Sequence, residues 1–242
     1  MFIGERRNKM SVKDGKEYLY LIWKCSTTRR QYIIGQLSRN GEYEFQYCGE
    51  IKAAMDAGFK PLVVFENLDV MYRCKELFPV FSSRLPDRKR KDIGKILDKY
   101  GLKEYDAYEL LKKSGARLPI DNLQFVDPLL DVEEKFEKTF YLAGVRHYLG
   151  CEGKACKNAV AVTRGDECFL CSEPDNPYDK NALIVLNERK EKLGYIPRYY
   201  AHAFLKLMNE KRISGCYVAK VEKEQNCDEC IEVMVKVEKT QN

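Results

Sequence analysis

Apolar and polar positions alternate from the first clear element onward. Tyr18 to Trp23, Gln31 to Leu37 and Tyr43 to Tyr47 are rich in aromatic and aliphatic residues, and their short period predicts three strands. Ser26-Thr27-Thr28 and Asn40-Gly41 separate them. Both residues of an Asn-Gly pair tolerate positive φ, so the second break predicts a tight hairpin within an N-terminal meander. From Pro86 to Gly101 the period lengthens to that of a helix. Ile93, Ile96, Leu97 and Tyr100 form one stripe, with Asp87 near the start and Gly101 placed to end it. A second helix is expected where Asp106 can cap, Glu109 follows three residues on, Leu110 and Leu111 supply apolar contacts, and Gly115 offers a left-handed end.

Asp127-Pro128 and the acidic residues Asp131, Glu133 and Glu134 are solvated sequence, suited to a join between units. The expected domains are therefore 1–132 and 133–242. Beyond the join, Phe140 to Val145, Ala159 to Thr163, Glu167 to Cys171, Ala182 to Leu186 and Leu193 to Ile196 are short enough for strands around one barrel. A helix after Pro197 places Tyr200, Phe204, Leu207 and Met208 on one covering stripe. The end alternates cleanly: Ile231, Val233, Val235 and Val237 face one way, and Glu232, Met234, Lys236 and Glu238 the other. The fold class is α+β, a small sheet with helices followed by a β-barrel.

Composition narrows this little. With 45% hydrophobic and 33% charged residues the chain is a globular protein. No apolar run is long enough to cross a bilayer, and a start containing Glu5, Arg6, Arg7 and Lys9 lacks a signal-peptide core, so a cytosolic protein is expected. Ten cysteines in 242 residues are too dilute for a disulfide-stapled scaffold and are expected as thiols. A net charge of +5, from 42 basic and 37 acidic side chains, permits a polyanionic partner without identifying one.

The densest chemistry lies in Glu173-Pro174-Asp175-Asn176-Pro177-Tyr178-Asp179-Lys180-Asn181-Ala182, just before a strand. Prolines fix φ, and Asp and Asn side chains bond nearby amides, so this composition prescribes a stiff turn that presents Tyr178, Asp179 and Lys180 in a set direction. Equally, Asp175, Asn176 and Asp179 can serve only the turn, with Tyr178 packed beneath it. The residues alone leave both readings open.

This decapeptide, followed by Leu183-Ile184-Val185, Leu193-Gly194-Tyr195-Ile196-Pro197 and Ala201, and preceded by Ala143-Gly144-Val145-Arg146-His147-Tyr148, resembles the HIRAN family. In that resemblance the 143–148 segment is the opening strand. The family implies an OB-like barrel that captures the 3′ end of single-stranded DNA. Arg146 would then clamp a phosphate, Tyr148 and Tyr178 would stack on bases, Asp179 would accept a hydrogen bond from a free 3′-hydroxyl, and Lys180 and Asn176 would add backbone contacts. The chain departs from the family pattern at His147, where a tyrosine is expected, and in an inserted loop from Cys151 to Asn158. His147 retains a ring that can stack.

Other chemistry is sparse. Cys168 and Cys171, in a strand, point to opposite faces and are poor zinc ligands; Cys227 and Cys230, with Cys151 and Cys156, form a more plausible set on spacing. Unligated thiols and no cofactor are the expectation. With only His147 and His202, and with no Walker-type phosphate loop or kinase signature, no enzyme is expected. The run Arg88 to Lys91 can touch phosphates but is flanked by Asp87 and Asp92, as in an ordinary solvated face.

The front half, from about Tyr18 to Pro128, resembles the N-terminal subdomain of HipA-type kinases in Ile34-Gly35-Gln36-Leu37, Tyr43-Glu44-Phe45, Leu77-Phe78-Pro79, Phe81, Arg84-Leu85-Pro86, Tyr105-Asp106 and Leu110-Leu111. That subdomain is non-catalytic. The resemblance implies an alternative, antitoxin-like role in which this half docks on a separate HipA-like kinase; Phe78, Phe81 and Leu85 are candidate exposed anchors for such an interface, although aromatic residues at that spacing are more often ordinary core.

Overall fold

The computed structural model describes residues 17–118, 121–129, 132–149, 162–222 and 229–240. The chain divides into two compact units, Met1–Pro128 and Leu129–Asn242.

The first unit is built on an antiparallel sheet of order β4-β3-β2-β1-β5, from β1 (Glu17–Lys24), β2 (Gln31–Asn40), β3 (Glu42–Tyr47), β4 (Tyr72–Cys74) and β5 (Leu123–Val126). The three-strand meander is as the alternation predicts, and Gly41 turns the β2–β3 hairpin at φ +78°. The register of β1 against β2 slips between Leu21 and Ile22, and the resulting bulge places both Ile34 and Gly35 on buried positions. The edge strands β4 and β5 are too short to carry a readable alternation.

Four helices cover this sheet: α1 (Ile51–Asp56), α2 (Pro79–Ser82), α3 (Ile93–Lys99) and α4 (Ala107–Ser114), with a 3-10 turn at Val63–Phe65. Asp106 caps α4 by accepting from the Tyr108 and Glu109 amides, and Gly115 ends it in the left-handed region at φ +69°. The helix expected over Pro86 to Gly101 is shortened to α3. Asp87 accepts the Lys89 amide at 2.7 Å, and this local bond holds residues ahead of Asp92 in turns.

Phe78, Phe81 and Leu85, expected as exposed docking anchors, are buried. Phe81 meets Phe45 and Phe125 edge-on at 5.2 and 4.9 Å, inside the main core. Their apolar surface is already spent on folding, so the anchor assignment is corrected. Arg84 is buried beside them, forked onto Asp121 and donating to the Ala116 and Leu123 carbonyls.

The second unit contains two three-stranded sheets, β10-β11-β6 and β7-β8-β9. The strands are β6 (Phe136–Tyr141), β7 (Phe169–Ser172), β8 (Leu183–Leu186), β9 (Lys192–Tyr195), β10 (Ile213–Val221) and β11 (Ile231–Val237). Two isolated bridges, Ala143 with Tyr195 and Glu167 with Tyr217, join the sheets at their edges. Among the described residues the two sheets do not close into a barrel. Helix α6 (Arg198–Asn209) buries Tyr200, Ala201, Ala203, Phe204 and Leu207, and its Phe204 ring lies 5.5 Å from that of Phe140. Pro197 stands at its N-cap rather than within the first turn.

Two strand assignments shift. The strand expected from Phe140 to Val145 is β6, earlier in the chain, and Gly144 at φ +71° breaks away from it. The following residues form a short helix, α5 (Val145–Leu149), so Arg146, His147 and Tyr148 leave a helical turn and not an opening strand. Residues 159–161 of the strand expected at Ala159 to Thr163 lie outside the described residues.

Candidate nucleic-acid interface

The turn between β7 and β8 is held from within. Asn176 Oδ1 accepts the backbone amides of Tyr178 and Asp179 at 3.0 and 3.2 Å. Asp179 Oδ1 accepts the Asn181 amide at 2.9 Å, and the Ala182 amide donates to the Asp179 carbonyl at 3.0 Å. These are the local bonds that Asn and Asp make when prolines have already restricted the chain. Tyr178, which makes none of them with its ring, is 77% exposed. An exposed aromatic on a stiff turn keeps its hydrophobic surface available with little further backbone ordering cost.

Beneath the turn, Glu173 gathers three donors. Tyr195 and Asn176 both donate to its Oε2 at 2.7 Å, and Lys192 Nζ reaches Oε1 at 3.3 Å. Hydrogen bonds from Asn176 and Tyr195, with Lys192 beside them, hold the carboxyl below the usual range. Burial and its bonds to Tyr148 and Glu173 push the Tyr195 hydroxyl well above its ordinary value. Tyr148 donates to the Tyr195 hydroxyl at 2.9 Å, tying α5 to the turn through a string of side chains. Gly194 makes that approach feasible, because a Cβ there would meet the Ala143 carbonyl oxygen at 2.8 Å.

The turn from Pro174 to Lys180 lines an open depression of about 650 Å³ together with Arg198 from the start of α6. Arg198 Nε stands 3.7 Å from Asp179 Oδ2. Tyr178, Asp179, Asn176 and Lys180 are therefore brought together around one concavity. Arg146 is half-buried on α5 and is not among the residues lining this depression, which Tyr178 shares with Arg198. His147 and Tyr148 are exposed on α5, with the Lys192 ammonium 5.9 Å over the Tyr148 ring.

Glu173, Lys192, Tyr195 and Arg198 were not singled out as site residues from sequence. Their signal was weak, because register does the work: Tyr195 pairs with Ile184, which pairs with Cys171, two residues from Glu173. Among zinc candidates, Cys151, Cys156 and Cys227 lie outside the described residues, while Cys230 is buried. No group of three or more ligating side chains occurs among the described residues. Cys168 is buried and Cys171 exposed, as opposite strand faces require.

Residues 136–238 match the family model of the HIRAN domain. The match contains the turn, α5 and α6. Among solved structures, the chain is similar to the crystal structure of the HIRAN domain of human HLTF, at 20% identity and a TM-score of 0.32, over 43% of this chain and 74% of that one. That overlap is too partial to carry an argument about fold or ligand. No curated protein matches. No helix among the described residues is long and apolar enough to cross a membrane.

Proposed function

We propose that the HIRAN-matching unit binds single-stranded DNA at the 174–180 turn, without catalysis, and takes a free 3′-hydroxyl end. The observation that carries this is the exposed Tyr178 ring, held on a turn whose Asn176 and Asp179 side chains bond its own backbone amides. A base stacked on it gains about 1–3 kcal/mol with little sequence preference. Lys180 and Arg198 supply cations for adjacent phosphates. Asp179 supplies an acceptor for a terminal hydroxyl, and the same carboxylate repels a terminal phosphate. The kinase-docking alternative loses its anchors to the core and gains no observation in return.

Polarisation titrations of the full chain with a 3′-hydroxyl single strand, its 3′-phosphate form and a blunt duplex test this. The hydroxyl-ended strand should bind best, and Tyr178→Ala should weaken it about 5- to 150-fold, the range of one lost stacking contact. Equal affinity for the two single strands removes end recognition; an unaltered Tyr178→Ala removes the stacking platform.

A further inference from the structure

Charge in the first unit is segregated. Between Arg84 and Arg117 there are 11 Lys and Arg against 6 Asp and Glu, an excess equal to the +5 of the entire chain. Several of these cations are occupied. Arg84 is forked onto Asp121, Arg90 pairs with Asp92, Lys112 approaches Asp127, and Lys113 Nζ donates to the Tyr100 carbonyl at 3.0 Å. Lys91, Lys95, Lys99 and Lys103 are different. They recur every fourth residue, all are exposed, and among the described residues none is in an ion pair; Lys99 lies over the Tyr100 ring at 5.5 Å.

We propose that this lysine row is a second nucleic-acid contact, holding the phosphate backbone of double-stranded DNA. Lys95 and Lys99 stand one turn apart on α3, about 6 Å along its axis, with Lys91 and Lys103 beyond its ends. Gly94, exposed between Lys91 and Lys95, adds no side chain to hold a backbone away. Arg88, 5.1 Å over the Tyr105 ring, extends the positive surface from the preceding turn. Asp98 and Glu104 dilute this surface without forming an ion pair with it among the described residues. Exposed cations gathered along one segment complement the phosphate charge of a duplex.

An anionic lipid surface is the competing polyanion, and the apolar pattern disfavours it. A helix that lies in a membrane interface presents apolar side chains beside its lysines. Here Leu97 and Tyr100 pack against the core, and Ile93 and Ile96 are half-buried. The unit's exposed large apolar side chains, including Met55, Val63 and Val64, lie on other elements. The choice of DNA among polyanions rests on the function proposed for the second unit, but the contact itself does not.

The test measures binding of the full chain to a blunt duplex with 3′-phosphate ends across a salt series, for wild type and for a variant with Lys91, Lys95, Lys99 and Lys103 all changed to Gln. Each lost phosphate contact lowers the slope of log K against log salt by about 0.9, so the variant should be shallower by about 3.6. A second variant, restricted to Lys91 and Lys103 outside α3, should lose about 1.8 without altering the helix. Tyr178→Ala should leave the duplex slope as in wild type, so failure of the stacking site and failure of this row are read separately. Unchanged slopes in both lysine variants overturn the proposal. So does lysine-dependent binding to phosphatidylserine vesicles with no lysine dependence on the duplex.

Discussion

Asn176→Asp exchanges one amide for a carboxylate of the same shape and tests how the recognition turn is held. In the native turn Oδ1 accepts two backbone amides, and Nδ2 donates to Glu173 at 2.7 Å. Aspartate keeps the acceptor and loses the donor, leaving two carboxylates face to face. A hydrogen bond to a charged acceptor contributes about 1.5–3 kcal/mol. The Glu173 side chain is 30% exposed, so water screens part of the loss and the lower figure of about 1.5 kcal/mol applies. That corresponds to an affinity for the 3′-hydroxyl strand about tenfold weaker at neutral pH.

The sign of the pH response then distinguishes this account from simple damage. Paired carboxylates bind a shared proton above the usual carboxylate range, and that proton restores a donor between the two residues. Binding by the variant should therefore recover as pH falls into the raised range. In the wild type the Glu173 carboxyl sits below the usual range, so its contribution is fully present above that range and is lost only as pH falls through the depressed value. Polarisation titrations at constant ionic strength, at neutral and mildly acidic pH, measure the difference. Amide exchange at Tyr178 and Asp179 reports the turn without any ligand. Wild-type affinity at neutral pH, or equal weakening at both pH values, would refute the reasoning.

Tyr195→Phe removes one donor to Glu173, so that carboxyl should titrate at higher pH, toward the usual range, in a side-chain carbon NMR titration; an unmoved value would count against the hydrogen-bonded string. Gly194→Ala places a Cβ against the Ala143 carbonyl oxygen, with Leu142 and Val145 close behind. Thermal melting should show a loss of about 1–3 kcal/mol, as expected for overpacking in a tight site. A neutral result would mean the strand and α5 can separate freely.

Local chemistry was legible where one segment determines its own conformation. Asp106 and Gly115 bounded α4, Asn40-Gly41 turned a hairpin, and the alternation from Ile231 to Val237 appears as strict burial on one face of β11. The stiffness of the 174–180 turn was likewise written in its prolines and its Asn and Asp residues. Misplaced elements have local causes of a less visible kind. Asp87 bonds its own turn and delays α3, while the positive φ of Gly144 turns an expected strand into α5.

The sequence by itself determined the periodic elements, the caps and the rigid turn, because those depend on backbone preferences and on side chains a few residues apart. Tertiary structure alone decided whether Tyr178 faced solvent or the core, that Arg198 and not Arg146 lines the depression, and that Phe78, Phe81 and Leu85 are interior. Those outcomes depend on strand register and on which surfaces meet across long separations. A one-residue change in register reverses a side chain's face without altering any local pattern.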